Sequence, residues 1–222
     1  MRTKLKDRVL PTYTKGEEIF NMVSHIVGGG LSVVALILCV VFSCIHGKTL
    51  AIISSVIYGV MMIASYTMSS IYHGLRANTG KKVFQVLDHC SIYLFIAGTY
   101  TPFCLVTFMD YDKTLGWVML AVVWSLAILG IVLNSIDLKN YRVFSMICYI
   151  AMGWCIIFKI DILPNLLGVT GFILLLLGGI VYTIGTILYG IGKTKKYMHS
   201  MFHLCVVLAS ILQFFCIFFY VI

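Results

Sequence analysis

Charge is scarce in this chain. Of its 222 residues only 11% are Asp, Glu, Lys or Arg and 61% are hydrophobic. That is about half the charged share of an ordinary soluble domain, so a water-facing globule is excluded. Proline is scarcer still, with three in the whole chain, and apolar stretches run on without the breaks that proline imposes. The eight cysteines (39, 44, 90, 104, 148, 155, 205 and 216) contain no CxxC pair and sit mostly inside apolar runs. This argues against a thiolate metal centre or a disulfide framework and for small, reduced, buried side chains. Connectors long enough to fold by themselves are also missing, so residues 1–222 read as one domain with a basic segment over 1–20. The last apolar run has no lysine, which removes the Schiff base of a retinal protein. No small-x-small cleavage site stands out after the first run, which is too long for the core of a signal peptide. It is expected to act as its own uncleaved insertion signal.

What the chain has instead is apolar length. Seven runs of about 20 residues, each enough to cross a bilayer, lie at roughly 22–45, 50–73, 84–108, 115–135, 143–160, 167–191 and 198–221. Mean hydropathy is +1.03. The expectation is an all-α polytopic membrane protein, a seven-transmembrane helix bundle. The sixteen Lys and Arg are sorted by loop. Arg2, Lys4, Lys6, Arg8 and Lys15 precede the first run, and Arg76, Lys81 and Lys82 follow the second. Lys139 and Arg142 follow the fourth, and Lys193, Lys195 and Lys196 the sixth. Only Lys48, Lys113 and Lys159 fall on the other side. The positive-inside rule then puts the amino terminus in the cytoplasm and the carboxyl terminus outside, in a multi-pass protein of the cell membrane. The net charge of +8 is thus a topology signal and not a nucleic-acid footprint. Ordinary G-protein-coupled receptors have the opposite orientation.

Against this apolar background the polar residues inside the runs stand out. His199 and His203, four apart, share one helical face and can share a metal ion. Ser69 and His73 at the end of the second run have the same spacing. Asp88, just inside the third, needs a partner, since a carboxylate in an apolar span normally faces a polar interior. Glu18, Asn21 and His25 share a face at the start of the first span. By the charge topology all of these lie at the cytoplasmic ends of their helices, and the outer ends carry no comparable cluster. His89 points about 100° from Asp88 and reads as interfacial. Asp110, Asp112, Asp137 and Asp161 read as solvated loop residues. Gly28-Gly29-Gly30 reads as a close helix contact, Pro102 as a kink in the third span eased by Thr99 and Thr101. Spans four to six read as scaffold, with Trp117, Trp124 and Trp154 for packing and anchoring and Gly178, Gly179, Gly185 and Gly190 for close contacts.

Three imidazoles, His73, His199 and His203, match the ligand set of a catalytic zinc with one position left for water or substrate. The nitrogen-only set favours zinc over copper or iron. Zinc lowers the pKa of bound water to about 7; Asp88 is placed to hold or deprotonate that water, and Ser69 to hydrogen-bond it or a developing oxyanion. A site in the inner leaflet would receive a membrane lipid with an amide or ester carbonyl. The same three ligands equally suit a zinc that only ties helices together, and a pore-forming cytolysin and a lipid sensor or receptor stand as rival functions. Oligomeric state and substrate identity are not legible.

In order and topology these motifs resemble the bacterial haemolysin III proteins, within the broader progestin and adipoQ receptor family and its alkaline-ceramidase relatives. The resemblance rests on Glu18-x-x-Asn21-x-x-Ser24-His25, Ser69-x-x-x-His73, Leu87-Asp88-His89-Cys90-Ser91-Ile92-Tyr93, Gly98-Thr99-Tyr100-Thr101-Pro102, Gly153-Trp154 and His199-Ser200-Met201-Phe202-His203. It implies a seven-helix bundle with a cytoplasm-facing zinc on His73, His199 and His203, Asp88 and Ser69 beside it, and a role in cytolysis or membrane-lipid homeostasis. Gln213 stands where similar proteins often have another histidine.

Overall fold

The computed structural model describes residues 3, 5–192 and 194–222. Arg2, Lys4 and Lys193 of the charge pattern lie outside the described residues, as does the side chain of Lys6. Among the described residues, seven helices are long and apolar enough to cross a membrane: α1 (Lys15–Ile45), α2 (Thr49–Gly74), α3 (Thr79–Tyr111), α4 (Lys113–Asp137), α5 (Arg142–Lys159), α6 (Leu163–Ile191) and α7 (Met198–Tyr220). Most begin before the apolar runs do, and three of these first turns, in α1, α3 and α4, are polar and capped. Thr14 and Glu17 form a reciprocal capping box on α1, Asn78 caps α3, and the Asp112 carboxylate accepts from Thr114 and Leu115 at the start of α4.

The bundle buries serines among an apolar and aromatic core and turns aliphatic side chains outward, where a soluble protein would carry charge. Ser32, Ser43, Ser54 and Ser55 are buried, whereas Val33, Val34, Ile37 and Val41 of α1 face outward. The Ser43 and Ser55 hydroxyls meet across α1 and α2 at 3.1 Å, as expected where apolar burial no longer drives helix association. Neighbours α1–α2, α2–α3 and α6–α7 pack along their lengths and α1 closes against α7, while α5 touches α4 and α6 only sparsely. That looseness leaves an internal cavity of about 660 Å³ between α3, α5, α6 and α7.

Several local expectations are refined. The break at Pro102 takes the form of a π-helical run over Phe103–Phe108, one of the usual ways a helix absorbs a lost backbone bond. The Thr99 and Thr101 hydroxyls donate to the Phe95 and Ala97 carbonyls. Of the first glycine cluster, only Gly28 is in tight contact: a Cβ there would stand 2.5 Å from Tyr66 Cε1. Gly178 does the same for Gln213, but nothing lies within 4 Å of Gly30 or Gly190. Asp137 is not solvated. It is 1% exposed and accepts from the backbone N–H groups of Thr3, Lys139 and Asn140 and from Asn140 Nδ2. It thereby fastens the amino-terminal segment under the bundle.

Candidate metal centre

Two polar helix ends and one interhelical turn make up the site. Glu17, the third residue of the α1 capping box, also accepts at 2.7 Å from the backbone N–H of Tyr197. Tyr197 sits in the left-handed region at φ 61° and starts α7. This ties the first turn of α1 to the turn that presents His199 and His203. Gly192 permits the preceding approach: a Cβ on it would lie 2.8 Å from the His199 backbone nitrogen.

His73, His199 and His203 are all buried and each offers a ring nitrogen within 4.8 Å of the others. His199 Nε2 and His203 Nε2 are 3.1 Å apart. Two nitrogens at about 2.0–2.1 Å on one tetrahedral ion stand roughly 3.3 Å apart, so the pair already has almost the spacing that a shared cation demands. His73 Nδ1 bonds Glu18 Oε2 at 2.6 Å. With Nδ1 as the donor, the other ring nitrogen carries its lone pair, and His73 Nε2 is buried without a partner. A carboxylate on the far nitrogen is the usual outer partner of a metal-ligating histidine. The second Glu18 oxygen accepts from Lys81 Nζ, which also reaches the Leu75 carbonyl at 3.0 Å. The donor set is nitrogen-only, convergent and buried, and it can hold a metal ion.

Around this trio lie the other residues expected from the sequence. Ser69 is buried, and Asp88 lies one helix away on the same cavity wall. Both face the cavity, whose lining also includes His199 and His203. Asp88 is not among the group whose ligand atoms converge. His25 lies 3.9 Å from His203, ring centre to ring centre, with the planes tilted by 41°, and meets Tyr66 edge-on. Both of its nitrogens are buried and unpartnered, as are both polar atoms of Asn21 one turn earlier. Such a concentration of unsatisfied polar atoms marks a site built for something besides packing. His89 corrects the interfacial expectation. It is mostly buried, lines the cavity, and places Nε2 3.3 Å from the Tyr189 hydroxyl.

Three participants gave little sign in the sequence. Tyr13, in the polar leader, stacks on His199 at 4.8 Å with 15° between ring planes; burial holds its phenol well above the ordinary pKa, so it remains a neutral hydroxyl. Lys81 reads as a topology charge, yet it is 5% exposed and bound to Glu18. Glu17 was findable, since Thr14-x-x-Glu17 is a capping-box signature. Helices α5 and α6 are more than scaffold, because Met146, Tyr149, Leu175 and Tyr182 line the cavity.

Fold and site together define a multi-pass membrane protein whose helices close around a cluster of buried histidines able to hold a metal. The particular group follows from comparison. The family model for haemolysin-III related proteins matches residues 13–214, and the chain belongs to that family. It is 41% identical over 205 residues to Hemolysin-3 of Bacillus cereus, which covers 92% of each chain. It is 39% identical over 208 residues to the Hemolysin-3 homolog of Bacillus subtilis (strain 168), covering 94% of this chain and 96% of that one. More distantly, it is 24% identical over 171 residues to Monocyte to macrophage differentiation factor of Homo sapiens, covering 74% of this chain and 69% of that one.

Proposed function

We propose that this protein is a zinc-dependent hydrolase of amide or ester bonds in membrane lipids, acting from the cytoplasmic membrane on lipid composition and fluidity. The observation that carries the reading is the convergence of His73, His199 and His203 within 4.8 Å, beside a largely apolar cavity that also exposes Ser69 and Asp88. His73, His199 and His203 hold the ion, which when bound supplies a Lewis acid for a carbonyl and for water. Asp88 takes a proton from the attacking water, and the Ser69 hydroxyl on the same wall of the cavity hydrogen-bonds that water or the developing oxyanion. Glu18 fixes the His73 ring, and Asn21 and His25 border the ligands with free hydrogen-bonding capacity. The apolar walls of α3, α5 and α6 accept an acyl chain and exclude bulk water. The basic residues grouped at this end of the bundle support a cytoplasm-facing site.

The test supplies zinc-loaded purified protein with a panel of ceramide-type lipids and measures released fatty acid. Release above that of His199→Ala is expected, and no release above that variant discards the reading. The name Hemolysin-3 of the relatives favours a second reading, a cytolytic pore. Zinc-independent dye leakage from liposomes at low protein density would support it instead.

A further inference from the structure

We propose that Arg8 and Arg142 form a subsite for the phosphate or carboxylate of an anionic membrane lipid at the mouth of the internal cavity. The inference rests on the reading of that cavity as a lipid site and adds the headgroup class. Arg8 is 9% exposed, and its Nε and Nη1 are buried with no hydrogen-bond partner. Arg142, in the first turn of α5, likewise has a buried, unpartnered Nε. Both line the cavity that also exposes Asp88 and His199. The Thr3–Asp137 bond of 2.6 Å brings the segment carrying Arg8 beneath the α4–α5 turn that leads into Arg142.

The nearby acids do not neutralise them. Asp137 accepts from three backbone N–H groups and one amide. Glu18 is shared by His73 and Lys81. Asp88 has His89 Nδ1 at 3.9 Å, and Asp7 is exposed. Neither arginine is in an ion pair among the described residues. A buried guanidinium without a counter-charge is costly to keep, and its planar fork fits the two oxygens of a phosphate or carboxylate. Free phosphate would satisfy the arginines and leave the apolar walls around Ile92, Phe95, Met146, Ile150 and Leu175 uncovered. An amphiphile with an anionic head covers both. Because Arg8 arrives on the amino-terminal segment and Arg142 on α5, the subsite is complete only when that segment is docked.

The experiment measures binding of lysophosphatidate, of the monoacylglycerol with the same chain, and of inorganic phosphate to the full chain in neutral phosphatidylcholine nanodiscs. Wild type is expected to bind lysophosphatidate at least about tenfold more tightly than the neutral lipid. Arg8→Gln and Arg142→Gln should each erase most of that preference, Arg142→Lys should retain part of it, and Arg76→Gln, at an exposed position, should retain all of it. His73→Ala should keep the preference, which separates headgroup binding from hydrolysis. Equal affinity for charged and neutral lipid overturns the subsite alone, as does a preference untouched by either glutamine variant. Displacement by inorganic phosphate at the lipid's own concentration identifies a free-anion site and overturns the lipid assignment. Failure of wild type to bind any of the lipids overturns both the subsite and the reading of the cavity.

Discussion

Replacing Glu18 with glutamine separates the two jobs its carboxylate performs. One oxygen accepts from His73 Nδ1 at 2.6 Å and the other from Lys81 Nζ. The amide that Glu18→Gln introduces has a single acceptor oxygen, so one of these donors must face an NH₂ group. If the imidazole loses its partner, ligand orientation and basicity fall, and outer-partner changes of this kind cost about 10–100-fold in metal affinity, or roughly 1.4–2.8 kcal/mol. If the ammonium loses its partner, a buried cation is left with only the Leu75 carbonyl. Breaking a buried pair costs about 3–5 kcal/mol; the Glu18 side chain is 20% exposed, and solvent screening reduces this to about 1–3 kcal/mol. Zinc affinity from competition with a chromophoric chelator, together with thermal unfolding in detergent, reads both. Glu18→Gln should lower both quantities. Adding Lys81→Met leaves His73 Nδ1 as the single donor to the amide oxygen, so it should restore thermal stability and recover part of the zinc affinity. Unchanged zinc affinity in Glu18→Gln, beside a clear loss in His73→Ala, would refute the assignment of Glu18 as the partner that sets the ring.

Metal analysis of purified His73→Ala, His199→Ala and His203→Ala should show loss of bound zinc in each, whereas His46→Ala, on an exposed turn, should retain it. Gly28→Ala should destabilise the bundle by about 1–3 kcal/mol through overpacking, because its methyl would meet Tyr66 Cε1 at 2.5 Å. Gly30→Ala, with nothing within 4 Å, should leave the melting temperature unchanged. Tyr13→Ala removes the ring stacked on His199, and a water-soluble chelator should then strip zinc several-fold faster at unchanged equilibrium stability.

The parts of the architecture that were legible share one cause. Apolar runs and loop charge are written locally, so seven spans and the grouping of His73, Asp88, His199 and His203 at one end follow from periodicity and parity alone. Helix starts were misjudged because polar capping turns such as Thr14–Glu17 are helical without being apolar. Asp137 looked solvated because its partner, the Thr3 backbone, lies 134 positions away. Tyr13 gave no sign, since stacking on His199 depends on how the leader folds back and on no spacing within it. The cavity was invisible for a related reason: it is a gap left by the loose seating of α5, a property of packing between helices and not of any one of them. Adjacent Glu17 and Glu18 show the same limit at the finest scale. One closes a helix end and holds Tyr197, the other reaches His73 and Lys81, and only the backbone geometry decides which does which.

The hydrogen bond from Tyr197 to Glu17 joins residues 180 positions apart, and this has a consequence for biosynthesis. While the chain emerges and its early helices enter the bilayer, Glu18, His73 and Lys81 can assemble, but a lone imidazole retains no ion well. Only when α7 is released and seated do His199 and His203 join His73 and the first turns of α1 and α7 become latched. If the three histidines hold zinc as proposed, a chain cut before α7 is expected to bind none, and the seating of α7 completes the ligand set.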